Sequence, residues 1–209
     1  MSESTPYNGG FAPVLVTVAA IHLLNMRKEI FFIHSAGPQG DHAGSTGLIR
    51  SLQKSLGNKY MLHHPSMPQP ENPRYQEWKY KLQSTLPVGG NKVAIIGHSL
   101  GGSVVLKYLT EGLCQVPIAG LFLIGAPYWG NRGWTMEEFM FTSDFSSKLP
   151  IIDQVFIYHS KSDHWVPISH AECYAKQLHG STIRKINGDD HEFSAGLPLL
   201  VDDIRDLSF

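Results

Sequence analysis

The chain has 209 residues, 42% hydrophobic and 17% charged, enough apolar material for one sizeable core and about the length of a single domain. Its formal net charge is −1 and like charges never run in long blocks, which excludes the basic footprint of a nucleic-acid binder. The two cysteines, Cys114 and Cys173, form no Cys-x-x-Cys pair, and the eleven histidines include no His-Glu-x-x-His, so neither a disulfide framework nor a metal site is expected.

The amino-terminal stretch needs separate treatment. Residues 14 to 24, VLVTVAAIHLL, have the length of a signal-peptide apolar region. No Lys or Arg precedes them, however, and NMRK follows where small residues would mark a cleavage site. The run is also too short to span a bilayer, which takes about 20 residues. Met26 then leads directly into RKEIFFIHSAG, a complete strand pattern. Residues 1 to 25 are therefore expected to be an extension outside the fold, with residues 26 to 209 as the single domain. The competing reading is an uncleaved anchor or an atypical export signal. Reduced thiols and the missing signal flanks give a cytoplasmic expectation, with no membrane partner.

From Met26 onward, apolar runs alternate with helical patterns. Strands are expected at 29–34, 59–64, 92–97, 119–125, 154–159 and 181–186. Most are continuously apolar, as parallel strands covered on both faces are. Helices are expected at 45–56, opened by a capping Ser or Thr and closed by Gly57, and at 73–85, with Asn72 as cap and Pro73 in the first turn. Further helices are expected at 100–110, 169–178 and 197–207. This alternation predicts an α/β domain with a mostly parallel sheet of about six strands, helices on both faces and a small cap or none.

Where the third strand meets its helix the chain reads Gly97-His98-Ser99-Leu100-Gly101, a Gly-x-Ser-x-Gly pattern. A sharp strand-to-helix turn strains the central residue and leaves no room for flanking side chains, while it holds the hydroxyl out above the sheet. Ser99 is thus the candidate nucleophile, against the plainer reading of a helix cap. A serine needs a base and an orienting carboxylate, which in this arrangement follow in the order Ser, Asp/Glu, His. Asp163, in SDHWVP past the fifth strand, and His191, in GDDHEF past the sixth, fit that order. Asp189 and Asp190 compete with Asp163 but lie too close in sequence to approach the His191 ring easily. The oxyanion donors are expected from the backbone of Leu100 and of Ala36, with Ser35 the near alternative to Ala36. Ser35, His98, Trp129 and Trp134 complete the expected site as substrate-binding residues, although His98 also reads as a structural occupant of the turn.

On IIGHSLGG, SDHWVP, GDDHEF and PSMPQPENPRYQEW, the chain resembles the α/β-hydrolase superfamily, specifically the small serine-hydrolase group that includes retinoblastoma-binding protein nine and related bacterial proteins. The similarity covers about residues 28 to 207. It implies a serine hydrolase of small esters, thioesters or amides, with ester preferred, a small-molecule acyl substrate as partner and no cofactor. The rival is a hydrolase-fold binding protein without turnover. The chain departs from the superfamily at His34-Ser35, where His-Gly is usual, which bears on the second oxyanion donor. Residues 125 to 153 are rich in aromatics, and Tyr128, Trp129, Trp134, Phe139, Met140 and Phe141 read equally as a pocket wall or a satellite core.

Overall fold

The computed structural model describes residues 27–131 and 133–209. The expectation that residues 1 to 25 stand apart from the fold concerns a stretch outside the described residues. Six strands form one sheet: β1 (Lys28–Ile33), β2 (Tyr60–His63), β3 (Val93–His98), β4 (Ile118–Ile124), β5 (Ile152–Ser160) and β6 (Thr182–Ile186). Five helices connect or follow them: α1 (Thr46–Leu56), α2 (Tyr75–Thr85), α3 (Leu100–Thr110), α4 (Ser169–Gln177) and α5 (Pro198–Arg205). Every strand pair is parallel, in the order β2-β1-β3-β4-β5-β6.

The central strands β3 and β4 are buried along their whole length and almost wholly apolar because both of their faces are covered. Ile33, Ile95, Leu121 and Leu123 face a core with Trp78 and Leu82 of α2, Val104, Val105 and Leu109 of α3, and Tyr174 of α4. Ile30, Phe32, Ile96, Phe122 and Tyr158 face the opposite core with Leu48 and Leu52 of α1 and Leu200 and Ile204 of α5. Alternate residues of one strand thus enter different cores, as the two-residue side-chain period requires.

Two helix starts depart from expectation. Ser45 stands at the N-cap of α1 but its hydroxyl makes no capping bond. The second helix begins at Tyr75 instead of residue 73, because Arg74 is extended at φ −118°, ψ 128°. The cap comes instead from a distant part of the chain, with the Tyr75 N–H donating to the Glu138 carboxylate at 2.8 Å. Among the described residues, no helix is long and apolar enough to cross a membrane.

The strand order positions the site. From β1 the chain crosses to β2 on one side, and from β3 it crosses to β4 on the other. The carboxyl ends of β1 and β3 therefore flank a topological switch point, where loops diverge and leave a crevice. Ile33 pairs with Gly97 at that end, so the loop after β1 and the turn after β3 lie side by side.

Candidate active site

The turn after β3 is shaped by close backbone approach. A Cβ on Gly97 would stand 2.4 Å from the Gly102 Cα, and one on Gly101 would stand 2.4 Å from the carbonyl oxygens of Ile33 and His34. Only hydrogen at both positions lets α3 start directly on top of the sheet. Ser99, between them, is held at φ +52°, ψ −123°, a conformation costly for a residue with a side chain. Its N–H donates to the Ile124 carbonyl at 2.7 Å, which ties the turn to β4.

The structure brings Ser99, Asp163 and His191 together. His191 Nδ1 lies 2.7 Å from Asp163 Oδ2, and Nε2 lies 3.0 Å from Ser99 Oγ. The carboxylate can only accept, so Nδ1 carries the proton. In the neutral ring Nε2 is then the acceptor, and the Ser99 hydroxyl donates to it. That hydrogen-bond order is the one base-assisted attack by a hydroxyl requires.

Asp163 is held ionised. Burial alone would raise its carboxyl, but the hydrogen bonds from His191 and from the N–H groups of Val166 and Trp165 outweigh burial and keep it below the ordinary carboxylate value. Those two N–H groups donate to Oδ1 at 2.9 and 2.8 Å, which leaves Oδ2 to His191. The fully buried His159 braces the same loop, donating from Nε2 to the Val166 carbonyl at 2.6 Å. Ser160 Oγ donates to the Asp190 carbonyl at 2.5 Å and so links the loops that carry Asp163 and His191. The exposed Asp190 closes its own turn, its carboxylate accepting the Glu192 and Phe193 N–H groups at 2.9 Å, while the Asp189 carboxylate pairs with exposed His164.

The remaining expected residues fall into different environments. Ala36 is exposed in the loop that follows β1. Ser35, only 7% exposed, donates its N–H to Ser45 Oγ at 3.0 Å. His98, expected in contact with substrate, is wholly buried, and both its ring nitrogens are bonded to protein atoms. Trp129 is 9% exposed and packs against Trp134 and Phe139, with ring centroids 5.2 and 5.5 Å away. Trp134 is half-buried and meets the His170 ring at 5.1 Å.

Three residues of the site escaped sequence reasoning. Ser45 looked like a helix cap, and His159 and Gly125 look like ordinary strand and turn residues. Gly125 adopts a φ of +56°, which favours glycine, and a glycine just after a strand end is the sequence signal of such a turn. A cleft of about 440 Å³, lined by Pro38, Gln39, Gln69, Pro70, Glu71 and Asn72, opens two residues beyond Ala36. A larger one, about 830 Å³, lies at the amino ends of β1 and β3 beside Lys28 and Lys92, the wrong end of the sheet for this chemistry. Among the described residues, no group of three His, Cys, Asp or Glu side chains could hold a metal ion.

Comparison with known proteins supports the fold. The ydeN gene product of B. subtilis is 23% identical, with a TM-score of 0.69 over 85% of this chain and 97% of that one. A meta-cleavage product hydrolase from Pseudomonas fluorescens IP01 is 14% identical, with a TM-score of 0.64 over 86% and 91%. An esterase domain from a Rhodothermus marinus protein is 17% identical, with a TM-score of 0.56 over 86% and 87%. At these identities the likeness establishes the α/β-hydrolase fold. No curated protein matches the sequence. The model of the serine hydrolase family matches residues 48–194, most of the described chain, from within α1 to just past His191, and the chain belongs to that family.

Proposed function

We propose that this serine hydrolase cleaves a small ester through an acyl-enzyme, with Ser99 as nucleophile, His191 as general base and acid, and Asp163 as the group that orients His191. The observation that carries this reading is the continuous hydrogen-bond path from Ser99 Oγ through His191 to Asp163, at 3.0 and 2.7 Å. In the reaction, Ser99 Oγ attacks the carbonyl carbon as His191 Nε2 takes its proton. His191 returns that proton to the leaving oxygen, and the acyl group stays on Ser99. A water then repeats the sequence, with His191 as base again, and releases the acid.

The negative charge on the carbonyl oxygen needs backbone donors. Leu100, at the first turn of α3, supplies one with the positive end of the helix dipole behind it. Ala36 is the second. Its alternative, Ser35, already donates its N–H to Ser45. An ester is preferred to an amide because an alkoxide is the better leaving group and makes the smaller demand on His191 as acid. The esterase domain of similar fold supports the same choice.

The test is active-site labelling with a fluorophosphonate, together with hydrolysis of p-nitrophenyl esters. The wild-type protein should label rapidly and turn over. Ser99→Ala should fold, fail to label and lose activity by a factor of order 10⁴. Asp163→Asn, which favours the wrong imidazole tautomer, should be nearly as damaging. Turnover that survives in Ser99→Ala would exclude the nucleophile. A folded wild type that neither labels nor hydrolyses would be a binding protein on a hydrolase fold.

A further inference from the structure

His98 is a fully buried residue where three functional segments converge, and the bonds of its two ring nitrogens have a defined direction. Nε2 lies 2.9 Å from the His191 carbonyl oxygen, which can only accept, so Nε2 carries the proton. Burial, reinforced by the neighbouring His191, pushes the His98 imidazole down to about 3, so the ring is neutral and Nδ1 is an acceptor. Ser45 Oγ lies 2.8 Å from Nδ1 and donates its one proton there. The same oxygen accepts the Ser35 N–H at 3.0 Å, and the Ser35 hydroxyl at 3.2 Å is left to act as a donor to it. Donation therefore runs one way, from Ser35 through Ser45 and His98 to the His191 main chain.

We propose that His98 is a positioning residue that, with Ser45, locks the loop carrying His191 to the loop carrying Ala36; this rests on the serine-hydrolase reading above. At one end, the lock holds the His191 backbone from behind while its ring reaches forward to Asp163 and Ser99. At the other end, it fixes the Ser35 peptide, and with it the direction in which the next N–H, that of Ala36, faces the crevice. Simple packing does not account for Ser45. That residue stands at the N-cap of α1, where a serine hydroxyl ordinarily accepts a helix N–H, and it makes no capping bond. Its hydroxyl is directed instead to a buried ring 53 residues away in sequence. Gly44 brings the segments close enough, since a Cβ there would meet the Pro38 carbonyl at 3.0 Å and Ser35 Oγ at 3.1 Å.

Three substitutions cut the chain at known points. His98→Asn keeps an acceptor near the Nδ1 position and loses the donor to His191. His98→Gln keeps an amide donor at the reach of Nε2 and loses the acceptor for Ser45. Ser45→Ala cuts that second arm without touching the ring. Each purified variant is titrated to completion with fluorophosphonate, and p-nitrophenyl acetate hydrolysis is expressed as kcat per titrated site. Each single variant should lose about 10- to 100-fold in kcat with KM little changed, the cost of a small misplacement of reacting groups. The Ser45→Ala/His98→Gln double variant should be no worse than the poorer single, because both cut one arm. Wild-type kcat per titrated site, with only a lower Tm, would overturn the proposal, and so would additive losses in the double variant. If neither His98 variant folds, Ser45→Ala decides by the same criterion. Ser99→Ala is run alongside. Activity in Ser99→Ala would place the fault in the serine-hydrolase reading, whereas an inactive Ser99→Ala beside three fully active variants would place it in this proposal alone.

Discussion

Gly125, at the end of β4, has less room than its plain appearance in the sequence implies. A Cβ built on it would stand 3.1 Å from His191 Cε1 and 3.2 Å from Nδ1, and its φ of +56° is one a side chain resists. The turn cannot move aside. The Gly125 N–H donates to the Tyr158 carbonyl at 2.9 Å, and the Pro127 carbonyl accepts from both Ser103 Oγ and the Tyr174 hydroxyl at 2.7 Å. Gly125→Ala should therefore push the imidazole off the Asp163–Ser99 line, with kcat down by about 100-fold. The backbone cost should be about 1–2 kcal/mol, read as a lower urea midpoint. Full activity with the lower midpoint would show that the ring has slack. That Ser99, Asp163 and His191 meet was legible in the sequence because each candidate carries its own signal: glycines around a serine, then an acid and a histidine after successive strands. Ser45 and Gly125 were not, because their roles depend on what lies opposite them in space.

The segment from β4 to β5 shows the same limit for whole elements. Its aromatics would look identical in sequence whether they walled a pocket or filled a core, since both uses select large apolar rings. In the structure they pack inward. Phe139 and Phe145 are each 1% exposed, Tyr128 meets Phe141 at a tilt and Phe145 and Tyr174 edge to face, and Lys107 of α3 donates to the Glu138 and Met140 carbonyls at 2.7 and 3.0 Å. The same tertiary logic moved the start of α2, where Glu138 of this segment supplies the cap that Asn72 was expected to give. Strand positions, by contrast, were legible to within two residues, because short β-rich runs bounded by turn residues mark even the edge strands β2 and β6, whose side chains are mostly only partly buried. For Trp129→Ala the expected loss is about 3 kcal/mol, the lower end for a buried Trp. Its indole N–H is buried without a partner, so the substitution also removes an unmatched donor. In thermal unfolding this amounts to about 6–12 °C for a chain of this size. Rates on acetate and hexanoate esters, measured below the new Tm, should keep the wild-type ratio. A shifted ratio with an unchanged Tm would instead make the ring a pocket wall.

Across the whole molecule, buried imidazoles set how the fold responds to acid. His34, His98 and His159 are each 5% exposed or less. Burial lowers all three: His34 to about 4, helped by the neighbouring His64, His98 to about 3, and His159 in the same direction against the pull of the Val166 carbonyl and Asp163. In the unfolded chain the same rings take up protons at the ordinary value of 6.5. Below that pH the unfolded state binds more protons than the folded one, so the stability tied to these rings is complete above 6.5 and is lost as pH falls toward the folded values. Asp163 adds to the loss only lower down, since its carboxyl titrates below the ordinary 3.8. The urea midpoint should thus be level just above neutrality and fall steadily from about pH 6.5 to about pH 4, a range in which Asp163 stays ionised. His34→Gln removes one titrating ring without touching the bonds of His98 or His159, and its midpoint should fall less steeply over the same range. A wild-type midpoint that stayed level down to about pH 4, or a His34→Gln curve parallel to it, would mean that these rings are protonated alike in the folded and unfolded chain.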